Sequence, residues 1–257
     1  MESSYAESLH NLRRAMIATL RAVKLTQLRK GFSHEQLIPV GSYAPWVDDS
    51  VFVALYERIR GHTLVDIYRC YELWDLSKQL RAVPGDILEV GVWKGGTAAI
   101  IGKAASETQP CHLWLADTFG DGVPKAGAED TRYKGGEHAD TSEAIVLDLL
   151  HGLGISNCTL LRGVFPEQTG QRMDGVRIKL CHIDVDTYQS AWDVFNWVWP
   201  RTVPGGIVVF DDYGFWGCEG VTSAVNEMKA AGHRVIYNLN GHALICRNGG
   251  PTDSAGQ

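Results

Sequence analysis

Four carboxylates follow two apolar runs in the second half of the chain. Asp184 and Asp186 come directly after the first run, and Asp211 and Asp212 come directly after the second. If both runs are parallel strands, their carboxyl ends meet at the edge of the sheet where α/β proteins bind ligands. Four negative charges at one edge repel each other unless a cation or a proton neutralises them.

The ligand types favour a hard cation. Oxygen ligands without cysteine suit Mg²⁺, so we predict a magnesium site formed by Asp184, Asp211 and Asp212. Asp186 is predicted to act as a separate base, since it lies two residues beyond Asp184. A helix cap is the alternative role for any one of these carboxylates. For His182, on the same strand, a hydrogen-bonded structural histidine is favoured over a metal ligand.

A glycine turn in the first half of the chain predicts a nucleotide-type cofactor. Glu89 ends an apolar run, and Gly91, Val92, Gly95 and Thr97 lead into a helical pattern. Glycine lets the backbone approach a ligand, and the carboxylate can accept hydrogen bonds from a ribose or an amino group. The spacing is neither G-x-G-x-x-G nor a P-loop. It looks like the first motif of class I S-adenosylmethionine-dependent methyltransferases, and an ordinary βα turn is the alternative.

A second acid and a long loop follow this turn. Asp117 ends the next apolar run, where a ribose hydroxyl is bound in such folds, with a cap or loop acid as the alternative. The segment 118–140 is polar and glycine-rich, and we predict a lid over the ligand, with a plain surface insertion as the alternative. Ser142 has the type of a helix cap and is predicted to face the same crevice.

Alternating apolar runs and helical patterns predict an α/β fold, a class I methyltransferase (Rossmann-like) sheet of about seven strands with helices on both faces. An N-terminal helical region, 1–83, precedes the core at 84–247, and a flexible tail, 248–257, follows. The predicted strands are 86–91, 112–117, 158–162, 178–184, 206–211, 234–239 and 242–246. The predicted helices are 51–60, 65–82, 97–106, 141–152, 187–199 and 220–231, with a further helical pattern up to about residue 34.

Composition excludes several classes of protein. The 257 residues carry a formal charge of −6 and a pI near 5.8, which argues against bulk nucleic-acid binding. The six cysteines form no C-x-x-C pair, as expected for reduced thiols in a cytoplasmic protein. With no apolar run of 18 residues and no signal-peptide core, we expect no membrane insertion. The basic, amphipathic N-terminal segment predicts a homodimer or higher homo-oligomer, with a membrane-surface helix as the alternative.

Two motifs around the four carboxylates carry a family resemblance. I-D-V-D-T-Y-x-S at 183–190 and G-G-x-V-V-F-D-D-Y at 205–213 resemble the macrocin O-methyltransferase family, and 88–97 and 116–119 are similar to its cofactor motifs. That family methylates sugar hydroxyls of macrolide and aminocoumarin antibiotics with S-adenosylmethionine and Mg²⁺. The resemblance implies the same activity, a glycosylated small-molecule acceptor, metal binding by Asp184, Asp211 and Asp212, and a base at Asp186.

The resemblance also extends the set of residues expected at the cofactor, since the segment at 62–64 is similar to one that reaches it from the helical region. The residues predicted to bind the cofactor are Thr63, Leu64, Glu89, Gly91, Val92, Gly95, Thr97, Asp117, Thr118, Phe119, Ser142 and Asp184.

The acceptor and the reaction class leave alternatives open. Catechol O-methyltransferases use a lysine base three residues after the first metal acid, and Thr187 stands there in this chain, which favours a sugar or aliphatic hydroxyl. A phenolic acceptor, a metal-dependent hydrolase on a similar fold and a non-catalytic scaffold are the competing interpretations. An NAD-dependent dehydrogenase is excluded by the glycine spacing.

Overall fold

The computed structural model describes residues 2–22, 24–26, 33–35, 43–106, 111–124 and 126–248. The chain divides into two compact units, Met1–Asp48 and Asp49–Gln257. Apart from Asn248, the tail predicted to be flexible lies outside the described residues. No helix in the described part of the chain is long and apolar enough to cross a membrane. The predicted homo-oligomer stays a prediction.

The first unit contains one helix and a small hairpin. Helix α1 (Glu2–Ala22) is followed by strands β1 (Lys24–Thr26) and β2 (Ser33–Glu35), which pair antiparallel. The helical pattern predicted up to about residue 34 is therefore wrong at Lys24–Thr26 and from Ser33 onward, and the segment between these strands lies outside the described residues. A three-residue strand is stabilised by its partner strand, and apolar spacing within one segment does not reveal such a partner.

The second unit is built on the predicted seven-stranded sheet. Two helices, α2 (Ser50–Ile59) and α3 (Ile67–Gln79), come before it. The strands are β3 (Asp86–Val90), β4 (Leu113–Asp117), β5 (Cys158–Arg162), β6 (Ile178–Ile183), β7 (Thr202–Phe210), β8 (Val235–Tyr237) and β9 (Ala243–Cys246). Their order is β5-β4-β3-β6-β7-β9-β8, and β9 runs antiparallel to both of its neighbours. The predicted α/β architecture is confirmed, and β7 begins four residues before the predicted position 206.

Helices cover both faces of this sheet. Alternate strand residues point to opposite faces, and apolar side chains on each face are buried by the helices that pack there. These helices are α4 (Gly96–Ser106), α5 (Glu143–Gly152), α6 (Tyr188–Val198) and α7 (Glu219–Ala230). Leu88 and Val90 pack in a buried cluster with residues of α6 and α7 such as Val194 and Val225. On the opposite face, α4 packs so closely against the side chain of Leu113 that a Cβ on Gly102 would lie 3.0 Å from it.

Helices α2 and α3 belong to the same compact unit as the sheet. Arg58 on α2 donates a hydrogen bond to the carbonyl of Gly152 at the end of α5, at 3.2 Å. The main chain between α2 and α3 bonds to the start of α4, where Gly96 N donates to His62 O at 2.9 Å. The predicted boundary between the helical region, 1–83, and the core, 84–247, stays a prediction. The contacts of α2 and of the segment after it join these two regions.

The turn after β3 depends on one glycine. Gly91 has φ +90°, and a Cβ at this position would lie 1.6 Å from the carbonyl oxygen of Asp184. Gly91 N donates to Ala116 O at 2.9 Å, and Asp184 N donates to Val90 O at 2.8 Å. The ends of β3, β4 and β6 therefore meet at a point that has no room for a side chain.

We expect Gly91→Ala to destabilise the protein by about 2–6 kcal/mol, the combined cost of a strained backbone and an overpacked contact. Gly152→Ala is the matched control, since nothing lies within 4 Å of its added Cβ and its φ is not positive. Urea unfolding followed by circular dichroism measures both variants. Equal stability of the two would contradict the close approach at Gly91.

Candidate active site

A cavity opens at the carboxyl ends of β3, β4, β6 and β7. Its wall combines the glycine turn, the segment before α3, the loop after β4 and the acids that follow β6 and β7. All three predicted metal ligands and the predicted base line it. So do eight of the predicted cofactor residues: Thr63, Leu64, Gly91, Val92, Thr97, Asp117, Thr118 and Asp184.

Four predicted cofactor residues lie outside this wall. Glu89 is fully buried, with Oε1 2.8 Å from His182 Nδ1. Ser142 caps α5 by accepting a hydrogen bond from Ile145 N at 3.3 Å. Phe119 is buried beneath the loop, and Gly95 packs against α5. Their contact with a cofactor stays a prediction, and the geometry gives each of them a structural role.

Asp117 organises the turn that it faces. Its Oδ2 accepts hydrogen bonds from Val92 N at 2.7 Å and from Trp93 N at 2.8 Å, and its Oδ1 accepts one from Phe119 N. Burial raises the pKa of Asp117, although these three backbone donors act in the opposite direction. The carboxylate therefore joins the glycine turn to the loop after β4 while lining the cavity.

The segment before α3 closes the cavity from the helical side. Gly96 packs against it so closely that an added Cβ would lie 2.6 Å from the carbonyl oxygen of His62. Thr63 Oγ1 accepts a hydrogen bond from Val65 N at 3.0 Å, which fixes the turn into α3. Thr63 and Leu64 are thereby held beside the start of α4, and their contact with a cofactor stays a prediction.

The three predicted metal ligands converge. One carboxylate oxygen from each of Asp184, Asp211 and Asp212 lies within 4.8 Å of the other two. Arg69 on α3, which the sequence analysis did not identify, reaches the same group. Its Nη1 donates to Asp211 Oδ1 at 2.6 Å and to Asp212 Oδ1 at 3.0 Å, while its Nε donates to Asp66 at 2.9 Å.

The acids of this group titrate differently. Burial raises the pKa of Asp184 well above its ordinary value, and the charges of Asp211 and Asp212 add to this effect. Burial and the neighbouring Asp211 also raise the pKa of Asp212. For Asp211, burial is outweighed by the guanidinium of Arg69 and by the ring of His242, so its pKa is lowered. Asp211 is thus the acid whose charge the protein itself stabilises most.

Asp186 stands apart from the other acids. Its backbone has φ +62°, and burial together with the charge of Asp212 raises its pKa to about 7. The hydroxyl of Tyr133 hydrogen-bonds to this carboxylate, and His138 Nε2 lies 3.9 Å from its Oδ2. Both neighbours come from the loop after β4, so this loop forms the wall opposite the predicted base.

That loop is fixed by a buried acid. Asp130 accepts hydrogen bonds from Gly127 N at 2.8 Å within the loop and from Tyr188 N at 2.9 Å at the start of α6. The next residue, Thr131, donates to Glu219 on α7. The loop therefore takes part in the cavity as an ordered wall, and its role as a lid stays a prediction.

A second pair, His242 and Glu72, supports Asp211 on the same face of the sheet. His242 Nδ1 lies 2.5 Å from Glu72 Oε2, and His242 Nε2 lies 3.3 Å from Asp211 Oδ1. Asp211 and Glu72 raise the pKa of His242 to about 9, against the effect of burial. Arg69 and Glu72 are three residues apart on one side of α3, beside the buried Leu73. This spacing indicates a shared helix face, but it does not identify the residues that the two side chains contact.

Comparison with known proteins identifies the family. A model of the macrocin O-methyltransferase (TylF) family matches residues 56–240. A tetracenomycin rhamnosyl 4'-O-methyltransferase from Streptomyces olivaceus is 29% identical over 67% of this chain and 74% of its own length. Mycinamicin III 3''-O-methyltransferase from Micromonospora griseorubida is 31% identical over 66% of this chain and 70% of its own length.

Solved structures agree on the fold. The O-methyltransferase NovP superposes with a TM-score of 0.62 and 24% identity, covering 73% of this chain and 82% of its own. The calicheamicin methyltransferase CalS11 reaches the same TM-score at 16% identity, covering 80% of this chain and 94% of its own. With the glycine turn and the strand-end acids in one cavity, the match over most of the chain shows that this protein belongs to the macrocin O-methyltransferase family.

Proposed function

We propose that this protein transfers the methyl group of S-adenosylmethionine to a sugar hydroxyl of a glycosylated natural product, in a reaction that requires Mg²⁺. One observation carries the proposal: the glycine turn and four carboxylates line a single cavity. The relatives named above methylate sugars of a tetracenomycin and a mycinamicin, and a third, from Streptomyces niveus, is a demethyldecarbamoylnovobiocin O-methyltransferase. These names support the choice of acceptor class.

The cofactor fits the half of the cavity formed by β3 and β4. The Gly91 turn presents backbone without a side chain, and Asp117 offers carboxylate oxygens beside it. Thr63 and Leu64 would cover the cofactor from the helical side. The methyl donor would then lie toward Asp184, whose main chain contacts the glycine turn.

A divalent cation fits the other half of the cavity. Asp184, Asp211 and Asp212 supply oxygen ligands within 4.8 Å of one another, the ligand type that Mg²⁺ prefers. Among the described residues, Arg69 is the only lysine or arginine within 4.0 Å of these three acids, and the ring of His242 lies 3.3 Å from Asp211. These two groups offset part of the negative charge, and a bound cation would offset the remainder.

The chain's own residues would then carry out the proton transfer and the alignment. Bound Mg²⁺ would lower the pKa of the acceptor hydroxyl. Asp186 would accept the hydroxyl proton, since it lines the cavity next to the metal acids without belonging to the three-acid group. Tyr133 holds the carboxylate of Asp186 in place. Because the sulfonium already activates the methyl group, the main contribution of the cavity is to align oxygen, carbon and sulfur.

We expect Asp117→Ala to weaken S-adenosylmethionine binding by about 1.5–3 kcal/mol, the value of a lost hydrogen bond to a charged group. Calorimetric titration measures the affinity, and Asp117→Asn tests whether the charge or the turn geometry matters. Asp121→Ala, in the same loop but outside the cavity wall, is the control. If wild-type protein does not bind S-adenosylmethionine, a hydrolase becomes the better interpretation.

Activity should be abolished by chelator and restored by Mg²⁺ alone. Asp184→Asn and Asp212→Asn should each raise the Mg²⁺ concentration required for half-maximal rate, because the site loses a charged ligand. The rate of methyl transfer to a glycosylated acceptor is followed by mass spectrometry at increasing Mg²⁺. Asp174→Asn, an exposed acid elsewhere, is the control. Full activity of chelated enzyme would refute the metal requirement.

Asp186→Asn should separate catalysis from binding. We expect turnover to fall by roughly 10²–10⁴-fold, the usual effect of a lost general base, while Mg²⁺ and cofactor affinities change little. Steady-state kinetics at saturating Mg²⁺, together with calorimetric titration of the cofactor, distinguishes this result from a damaged site. A variant that keeps the wild-type rate would show that Asp186 is not the base.

A further inference from the structure

Two buried histidines and Asp211 lie together on one face of the sheet, beneath the cavity. His182 on β6 is in register with Val209 on β7, which is in register with Leu244 on β9. Asp211 directly follows β7, two residues beyond Val209, and His242 directly precedes β9, two residues before Leu244, so the strand alternation places all three side chains on the same side. Each is at least 98% buried, and one ligand atom from each lies within 4.8 Å of the others.

The ring nitrogens that face Asp211 are buried and make no well-aligned hydrogen bond. His182 Nε2 and His242 Nε2 have no hydrogen-bond partner of good geometry among the described residues, and His242 Nε2 lies 3.3 Å from Asp211 Oδ1. The other nitrogen of each ring lies against a carboxylate, at 2.8 Å from Glu89 and 2.5 Å from Glu72. A ring that donates Nδ1–H to a carboxylate carries its lone pair on Nε2 when neutral. A metal ion would therefore displace the proton that His242 Nε2 otherwise holds toward Asp211.

We propose that His182 Nε2, His242 Nε2 and a carboxylate oxygen of Asp211 bind a divalent first-row transition-metal ion of the zinc type. Two imidazoles and one carboxylate are a common ligand set for such ions. Histidine ligands typically donate their second nitrogen to a carboxylate, which is the arrangement that Glu89 and Glu72 provide. This site differs from the proposed Mg²⁺ site by its two nitrogen donors, and the two sites share Asp211.

One donor pair already has the spacing of such a site. Metal bonds of about 2.0–2.1 Å place the donors of a tetrahedral site roughly 3.3 Å apart. His242 Nε2 lies 3.3 Å from Asp211 Oδ1, and all three donor atoms lie within 4.8 Å of one another. Three protein donors would leave one coordination position of a tetrahedral ion for another ligand.

The charges around the point also favour a cation. Glu72, Glu89 and Asp211 contribute three buried or half-buried carboxylates, and Arg69 is the one described arginine or lysine bonded to any of them. Protons on the two Nε2 atoms are the alternative source of positive charge. A measurement of metal binding to the protein distinguishes these two alternatives.

The test uses Co²⁺ as the probe, added to full-length Asp184→Asn protein, in which the oxygen site has lost a ligand but this site is complete. We expect one equivalent of Co²⁺ to bind, with the strong visible absorption of four-coordinate Co²⁺, and Zn²⁺ to displace it. His182→Gln or His242→Gln in the same background should abolish the absorption. Glu89→Gln should weaken binding about 10–100-fold, the usual effect of an outer carboxylate. His112→Gln, at the opposite end of the sheet, should leave binding unchanged.

Absence of Co²⁺ binding to Asp184→Asn protein, or absorption that persists without either histidine, would overturn the proposal and leave protons as the source of charge. If a histidine variant does not fold, as judged by its thermal transition, X-ray absorption of zinc-loaded wild-type protein decides. Two imidazole ligands support the site, whereas a shell of oxygen alone overturns it. These measurements need neither acceptor nor cofactor, so their outcome does not depend on the proposed methyl transfer.

Discussion

Buried negative charge on one face of the sheet is the constraint on which the rest of the structure depends. Glu89 lies on β3, Asp184 and Asp211 directly follow the neighbouring strands β6 and β7, and Glu72 on α3 reaches the same group through His242. A buried ion that loses its partner costs about 3–5 kcal/mol, so each of these carboxylates requires compensation. The protein supplies it from other elements, which explains why helix α3 lies against the strand ends.

Arg69 provides the main compensation. Its guanidinium reaches Asp66 on its own helix and Asp211 and Asp212 across the cavity, and it lies over the ring of Phe215 at 4.7 Å. Arginine suits this position because its planar group remains charged when buried and donates in several directions at once. One side chain thereby fixes α3, the end of β7 and the loop after it relative to each other.

The sequence predicted the acids and the sheet because both depend on local pattern. An acid that directly follows an apolar run lies at a strand end whatever the rest of the chain does, so Asp184, Asp186 and Asp211 could be assigned. Glu89 shows the limit of this reasoning. Its position near a strand end predicted a cofactor ligand, but it is fully buried against His182, which comes from a strand that is adjacent in space and distant in sequence.

Arg69 and His242 could not be assigned for the same reason. Arg69 has the pattern of an ordinary charged residue of an amphipathic helix, and only the tertiary position of α3 brings its side chain to the acids that follow β7. His242 follows a hairpin turn, and its approach to Asp211 depends on the antiparallel register of β9 against β7. Contacts made between elements through tertiary register have no signature within either segment.

The backbone around the cavity shows what this arrangement costs. The non-glycine residues with positive φ in the described chain are Trp93, Phe119, His138, Asp186 and Asp212. All five lie in loops at the strand ends, and four of them line the cavity. Such conformations cost about 1–3 kcal/mol each and persist only where the surroundings enforce them. At Asp186 and Asp212 the chain turns shortly after a strand has ended. Each turn lets a second acid line the cavity beside the first acid after that strand, Asp184 or Asp211. The strain is therefore concentrated where the four carboxylates are brought together, and the packed sheet beneath them supplies the stability that offsets it.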